Sequence, residues 1–311
     1  MSYASDVKKE LTMLEVHPEH AKAELAALIR LNGELKEVND VVFVTVQTEN
    51  ASIARRVYSL IKKLYDVRAE ISVRKRMKLN KNNVYFIRLN QEAKQVLMEL
   101  EIFEAMLHEI NLPNSIKENE QKARSYLRGA FLARGSVNSP ETNSYHLEIH
   151  STNQAINQDN LEMMEMFDLN PKVHERRNGG YMTYLKEAEK IADFLGIIGA
   201  NNSLFRFEDI RIVRDMRNSV NRLVNCEQAN LNKTVDAASK QIEAILLIDQ
   251  EVGLESLPEK TQEIAQLRLE HPEASLKELG ELVPGDPISK SAVNHRMRKI
   301  TKMADEIGVA Q

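Results

Sequence analysis

No stretch of this 311-residue chain carries eighteen apolar residues in a row, which argues against a membrane-spanning helix. The opening segment MSYASDVKKELTMLE has neither an apolar core nor a cleavage-like site, so a signal peptide is not expected. Cysteine is nearly missing. Cys226 stands alone, which excludes an intrachain disulfide framework, fits a reducing cytoplasm and leads us to expect a buried, inert thiol. A basic excess is missing too: the formal net charge is −4, which does not by itself favour nucleic acid. What remains is an ordinary globular composition, 42% hydrophobic and 28% charged, long enough for two or three domains.

The charge is segregated. Lys62 to Lys81 holds eight basic and two acidic residues, Arg211 to Asn225 holds four arginines against Asp215, and Ser289 to Lys302 holds five basic residues and no acid. Local patches of this kind matter more than totals for contact with a polyanion.

A nine-residue segment occurs twice, 102 positions apart: LAALIRLNG from Leu25 and LRGAFLARG from Leu127. Each reads as a helix closed by glycine. The segments downstream of the two copies match as well. After the first copy, helix 21–31, come strands over 34–38 and 41–47, the second alternating Val42, Val44 and Val46 with Phe43, Thr45 and Gln47. A turn at Asn39-Asp40 joins them. A helix over 51–64, strands near 69–76 and 84–89 with Asn80, Asn82 and Asn83 in their loop, and a closing helix over 91–109 complete the unit. The second copy, helix 121–133, leads to a strand over 145–150 and a helix ending near Leu169. Strands near 172–176 and 180–185 around an Asn178-Gly179 turn come next, then a closing helix over 186–198. Thr48-Glu49-Asn50 answers Ser151-Thr152-Asn153, and Asp66 answers Asp168. Each half should be four strands with helices on one sheet face, the other face open to solvent or ligand. Ala26-Ala27 and Gly129-Ala130 would let the two repeated helices cross closely at a pseudo-two-fold axis.

These segments resemble the signature helices of monomeric LAGLIDADG homing endonucleases. The resemblance implies a saddle of two sheets with an acidic metal ligand near the end of each helix. Asn32 and Arg134 occupy those positions, and neither is a carboxylate. Two-metal phosphodiester chemistry needs anionic oxygens to hold its ions, so the reading is a nuclease scaffold without cleavage activity, with no metal and no cofactor. Glu34 and Glu141 are near in sequence, but nothing places them at the same spots.

Beyond the second half, Val213, Met216, Val220 and Leu223 recur at helical spacing, with Arg214, Arg217, Asn218 and Asn221 on another face and Arg222 beside it. Such a helix suits docking between domains or lying along phosphates. Arg74, Lys75, Arg76 and Lys78 favour an anionic partner more weakly. The helical pattern continues over 235–249 and resumes from Pro258 to Glu270. Ser275 with Glu278 then matches a capping box, Pro284-Gly285-Asp286-Pro287 breaks the chain, and Ser289 caps a last helix to about Asp305. Val293, Met297, Ile300 and Ala304 form its inward stripe, and Lys290, Ser291, Asn294, His295 and Arg298 its outer face, flanked by Lys299 and Lys302. This reads as helix-turn-helix, with Asn294 and Arg298 best suited to bidentate base contacts and the lysines to phosphate.

The whole chain resembles the WhiA family, most specifically in FEDIRIVRDMRNSVNRLVNCEQANLNKT and in LKELGEL with ISKSAVNHRMRKI. The fold class expected is α+β: a duplicated αββαββα LAGLIDADG-like saddle, a helical linker and an all-α helix-turn-helix domain. The segments are 1–110, 111–205, 206–224 and 225–311. The resemblance implies a cytoplasmic, nucleoid-associated DNA-binding protein of cell division and chromosome segregation that regulates transcription. Double-stranded DNA is the expected partner, other regulatory or division proteins are further candidates, no membrane contact is expected, and a monomer is favoured. A protein-interaction scaffold or a nucleoid-associated factor without direct gene regulation is the competing reading, ahead of a residual metal-dependent endonuclease.

Overall fold

The computed structural model describes residues 2–39, 41–75, 83–177 and 179–309. The chain forms two compact units, residues 1–214 and 215–311. In the first, helices α1 (Tyr3–Leu11) and α2 (Pro18–Asn32) precede strands β1 (Gly33–Val38) and β2 (Val41–Thr48). Helix α3 (Ala51–Tyr65), strands β3 (Glu70–Lys75) and β4 (Asn83–Leu89), and helices α4 (Ala93–Glu99) and α5 (Phe103–Leu107) come after them. Past α6 (Asn114–Lys117), the order recurs as α7 (Glu120–Arg134), β5 (Gly135–Val137), β6 (Leu147–Ser151), α8 (Gln154–Glu165), β7 (Lys172–Glu175), β8 (Tyr181–Leu185) and α9 (Ala188–Ile197). Each half holds a four-stranded antiparallel sheet, ordered β1-β2-β4-β3 and β5-β6-β8-β7.

The duplication reaches individual caps. The Asn50 side chain accepts from Ser52 N and Ile53 N to start α3, and Asn153 accepts from Ile156 N to start α8. Asp66 and Asp168 both end their helical segments in the left-handed region, each with φ of 54°. On the covered face of one sheet Val44 pairs with Leu89 and Val46 with Ile87. On the other, Leu147 pairs with Leu185 and Ile149 with Thr183. All eight are buried, as the period-two alternation requires.

Helices α2 and α7 cross at the centre of the unit. A Cβ at Gly129 would lie 2.3 Å from the Glu24 carbonyl oxygen and 2.8 Å from the Ala27 Cβ, so only glycine admits this approach. Around the crossing, buried ion pairs join the halves. Glu24 accepts from Arg56 at 2.7 and 3.0 Å and from Arg128 at 2.8 Å. Asp159 accepts from Arg30 at 2.5 Å and from Leu112 N at 3.1 Å.

Several expectations change. The closing helix over 91–109 is two helices, because the backbone turns through left-handed Glu101 (φ 59°), carrying Leu100 and Ile102 into the core. The link after it contains α6. The four strands expected of the second half are present, the one without an assigned range being the three-residue β5, but its next strand begins at Leu147 rather than 145, since the Asn138 N–H bonds to the His146 carbonyl and a loop lies between. Asp40, Asn80, Asn82 and Asn178, assigned to turns, lie outside the described residues.

Helix α10 runs unbroken from Asn201 to Glu251, so the arginine-rich connector is not a helix of its own. No glycine or proline occurs within that span to stop it. Cys226 is exposed on this helix, contrary to the buried thiol expected, and so is the apolar stripe at Val213, Met216, Val220 and Leu223.

The second unit is helical throughout. The later turns of α10 pack with α11 (Glu259–Glu270), α12 (Leu276–Glu281) and α13 (Lys290–Val309) around Ile245, Ile248, Ile264, Leu279, Val293, Met297 and Ile300. Pro258 serves as the cap before α11 rather than as its first residue.

Candidate nucleic-acid interface

The second unit presents one helix whose two faces differ sharply. In α13, Val293, Met297, Ile300 and Ala304 are 5% exposed or less and anchor the helix on the core. Ser289, Lys290, Ser291, His295, Arg298, Lys299 and Lys302 are exposed, and Asn294 is half-buried at the edge between the faces. The expected outward residues therefore share one surface. Lys302 has a 3.8 Å ion pair with Glu306, which a stronger anion could displace.

Three local devices hold α13 in place. At the start of α12 the capping box is complete: Ser275 N donates to Glu278 at 2.7 Å, and Glu278 N donates to Ser275 Oγ at 3.3 Å. The Ser275 backbone N–H holds the Glu278 carboxyl below the usual range. Next, Ile288 N donates to the Gly280 carbonyl at 3.0 Å, closing the connection over 282–289 back onto α12. A Cβ at Gly280 would meet the Ile288 carbonyl oxygen at 2.3 Å, so glycine is required there. Finally, Ser289 Oγ accepts from Ala292 N at 3.3 Å and caps α13.

Two supporting arginines were not singled out from the sequence. Arg268, 2% exposed, donates to the carbonyls of Ala274 at 2.5 Å and Pro272 at 3.3 Å, fastening the loop that leads into α12. Its signal was its phase with the buried Thr261, Ile264 and Ala265 of α11. Arg296, half-buried, donates to the Lys260 carbonyl at 3.0 Å, which ties one of the five basic residues of α13 back to α11.

The other candidate residues are dispersed. In the first unit, Arg214 is committed: it donates to the carbonyls of Thr142 at 2.5 Å and Asn143 at 2.8 Å, with its guanidinium 4.9 Å from the Tyr145 ring centre. This is a docking contact of the connector. Arg217, Asn218, Asn221 and Arg222 are exposed on α10. Arg74 and Lys75 are exposed on edge strand β3, with Arg74 5.6 Å from the Phe86 ring centre. Arg76 and Lys78 lie outside the described residues.

At the paired helix ends, Asn32 Nδ2 donates to the Ala133 carbonyl at 3.3 Å, and Arg134 Nε donates to the Leu31 carbonyl at 2.7 Å. Each side chain meets the last turn of the opposite helix. Glu34 borders the same cleft, whereas Glu141 sits in the exposed loop between β5 and β6. Among the described residues no group of three or more His, Cys, Asp or Glu side chains is placed to hold a metal ion, and no helix is long and apolar enough to cross a membrane.

Comparison with known proteins agrees with both units. Residues 18–103 match the WhiA N-terminal LAGLIDADG-like domain, 123–217 the WhiA LAGLIDADG-like domain and 220–304 the WhiA C-terminal HTH domain. The chain is 63% identical over 307 residues to a probable cell division protein WhiA of Enterococcus faecalis, covering 99% of this chain and 98% of that one. To the same-named protein of Staphylococcus aureus (strain USA300) it is 57% identical, again over 99% and 98%. Among solved structures it is similar to full-length DUF199/WhiA from Thermatoga maritima, with a TM-score of 0.59 and 27% identity over 98% of each chain. The N-terminal LAGLIDADG domain of DUF199/WhiA aligns with a TM-score of 0.51 over 63% of this chain and 89% of that one, at 24% identity, a likeness of fold.

Proposed function

Because the chain belongs to the WhiA family, we propose that it is a non-enzymatic, sequence-specific DNA-binding protein of cell division and chromosome segregation that regulates transcription. Residues 225–311 form its reading head, joined by the 206–224 segment of α10 to a saddle whose halves are 1–110 and 111–205. The observation that carries this reading is the outer face of α13. It combines Asn294 and Arg298, which can each make two hydrogen bonds to a base edge, with Lys290, Lys299 and Lys302 for phosphate, on a helix free of acids from Ser289 to Ala304. The partner is double-stranded DNA, and the protein works in the cytoplasm at the nucleoid.

Absence of cleavage activity is supported by the paired helix ends. Where a nuclease needs two carboxylates, Asn32 and Arg134 supply donors, and those donors are engaged with backbone carbonyls. A cation at that spot would meet an arginine.

Fluorescence anisotropy with genomic fragments selected by the full chain tests the DNA reading. Arg298→Glu should weaken binding by about ten- to a hundredfold, the effect of losing a bidentate contact. Lys299→Gln should weaken all sequences alike and lower the slope of log affinity against log salt by about one. Unchanged binding by both variants would refute the assignment. A plasmid assay with magnesium or manganese addresses the second point: specific cutting that disappears when residues 32 and 134 are changed would refute the non-enzymatic reading.

A further inference from the structure

Helix α10 carries a long apolar face that is exposed among the described residues. Val213, Val220, Val224 and Leu231 are 55%, 57%, 54% and 58% exposed, and Met216 and Leu223, 64% and 61% exposed, widen the stripe along one side. Large apolar side chains so placed mark an interaction surface. The first four, together with Arg217 and Glu227, fall at 213, 217, 220, 224, 227 and 231. Alternating steps of four and three are the spacing by which one helix packs along another as a coiled coil.

The two charged members reveal what covers this face. A charge in the centre of a helical seam is costly unless an opposite charge meets it. Arg217 and Glu227 are both exposed, and among the described residues neither forms an ion pair within the chain. The six seam positions are symmetric about residue 222: Val213 mirrors Leu231, Arg217 mirrors Glu227, and Val220 mirrors Val224, while the flanking Met216 and Leu223 answer Gln228 and Asn221. Two such helices laid antiparallel, with their two-fold at Arg222, place valine against leucine at both ends and valine against valine beside the centre. Each Arg217 then faces the Glu227 of the other copy. Parallel pairing in register would instead oppose Arg217 to Arg217 and Glu227 to Glu227, which is repulsive. Any other antiparallel register that keeps the seam in phase moves at least one of the two charges opposite an apolar residue.

We propose that α10 is a homodimerisation surface, on which a second copy of this chain docks antiparallel about residue 222, held by the Val213–Leu231 and Val220–Val224 layers and by two reciprocal Arg217–Glu227 pairs. This goes beyond the DNA-reading assignment and does not depend on it. It differs from the monomer favoured from the sequence alone, and the same experiment decides between them.

Charge exchange in the full chain provides the test. Sedimentation equilibrium across the micromolar range should give twice the 35.5 kDa chain mass for the parent. R217E and E227R should each raise the dissociation constant by roughly a hundredfold or more, because each opposes like charges at two places. The double variant R217E/E227R should recover the parent mass. Both positions are solvent-exposed on a helix, so folding is checked by far-ultraviolet circular dichroism, and V220N provides a second disruption that leaves the charges alone. A parent that stays at the single-chain mass, as expected if a different protein covers the stripe, would overturn the proposal. So would single variants that still dimerise, or a double variant that fails to recover.

Discussion

Replacing Gly129 by alanine sets two physical effects against each other. Within a helix, glycine to alanine ordinarily stabilises by about 1 kcal/mol, since alanine has the higher helix propensity. At Gly129 the added Cβ would lie 2.3 Å from the Glu24 carbonyl oxygen, a rigid backbone atom, and 2.8 Å from the Ala27 Cβ. Relieving both contacts means moving α7 away from α2 by about an ångström, and such overpacking costs about 1–3 kcal/mol or more. The displacement also reaches the fully buried Glu24 carboxylate, on which the Arg56 and Arg128 guanidinium groups converge. A charge-assisted hydrogen bond weakened there adds about 1–2 kcal/mol. The net expectation is a loss of about 1–4 kcal/mol, or roughly 2–16 °C in melting temperature for a unit of this size.

The chain provides its own probe for this experiment. All eight tyrosines lie between Tyr3 and Tyr184, there is no tryptophan, and residues 215–311 contain no tyrosine. Tyrosine fluorescence during urea unfolding therefore reports the first unit alone. Gly196→Ala is the matched control, since a Cβ there meets only Leu204 Cδ2 at 3.5 Å, an ordinary contact. It should be neutral or stabilising by up to about 1 kcal/mol. If Gly129→Ala is as stable as the parent, or more so, the close approach of α2 and α7 is not what glycine provides at this position.

Two further predictions concern buried charge. Lys8 is half-buried beside Phe131, and burial pulls its ammonium group down to about 8 from an ordinary value of 10.5. Below pH 8 both folded and unfolded chains carry the proton and the folded state bears the full cost, which is relieved as pH rises from about 8 to 10.5. Lys8→Met should therefore be more stable than the parent by about 1–3 kcal/mol at pH 7, with the gap closing towards pH 10.5, and a gap independent of pH would refute this account. Asp159→Ala should destabilise the first unit by about 3–5 kcal/mol in tyrosine-detected unfolding, because Arg30, whose side chain is 1% exposed, loses the one acidic ion-pair partner it has among the described residues. A loss below about 1 kcal/mol would mean that the pair does not join the halves.

Much of this architecture could be read from the chain because its rules are local. Asn50 and Asn153 announce helix starts through their own side chains, and the β2 alternation identifies its buried face without reference to any neighbour. The two faces of α13 emerge in the same way from the helical period of about 3.6 residues. The features that escaped are those set by distant partners. Arg30 and Asp159 stand 129 positions apart, and nothing around either residue points to the other. The break at Glu101 falls in a run of good helix formers, and only the need to bury both Leu100 and Ile102 bends the backbone there. Arg296 looks from its spacing like another free outward cation, but it is engaged by the Lys260 carbonyl, 36 positions away. Strand β5 has three residues, too few to show an alternation.

The paired helix ends bring these two kinds of information together. The last carbonyls of a helix lack partners within it and form its negative pole. Two helices ending side by side concentrate that negative potential, and a carboxylate on each would add to it and call for cations. In this chain the side chains at the same positions are donors. Asn32 reaches Ala133, the residue before Arg134, and Arg134 reaches Leu31, the residue before Asn32. The pseudo-two-fold survives in the bonding pattern although the residue types differ. The arginine charge complements both helix ends. These hydrogen bonds fasten α2 to α7 at the point where like partial charges would otherwise push them apart.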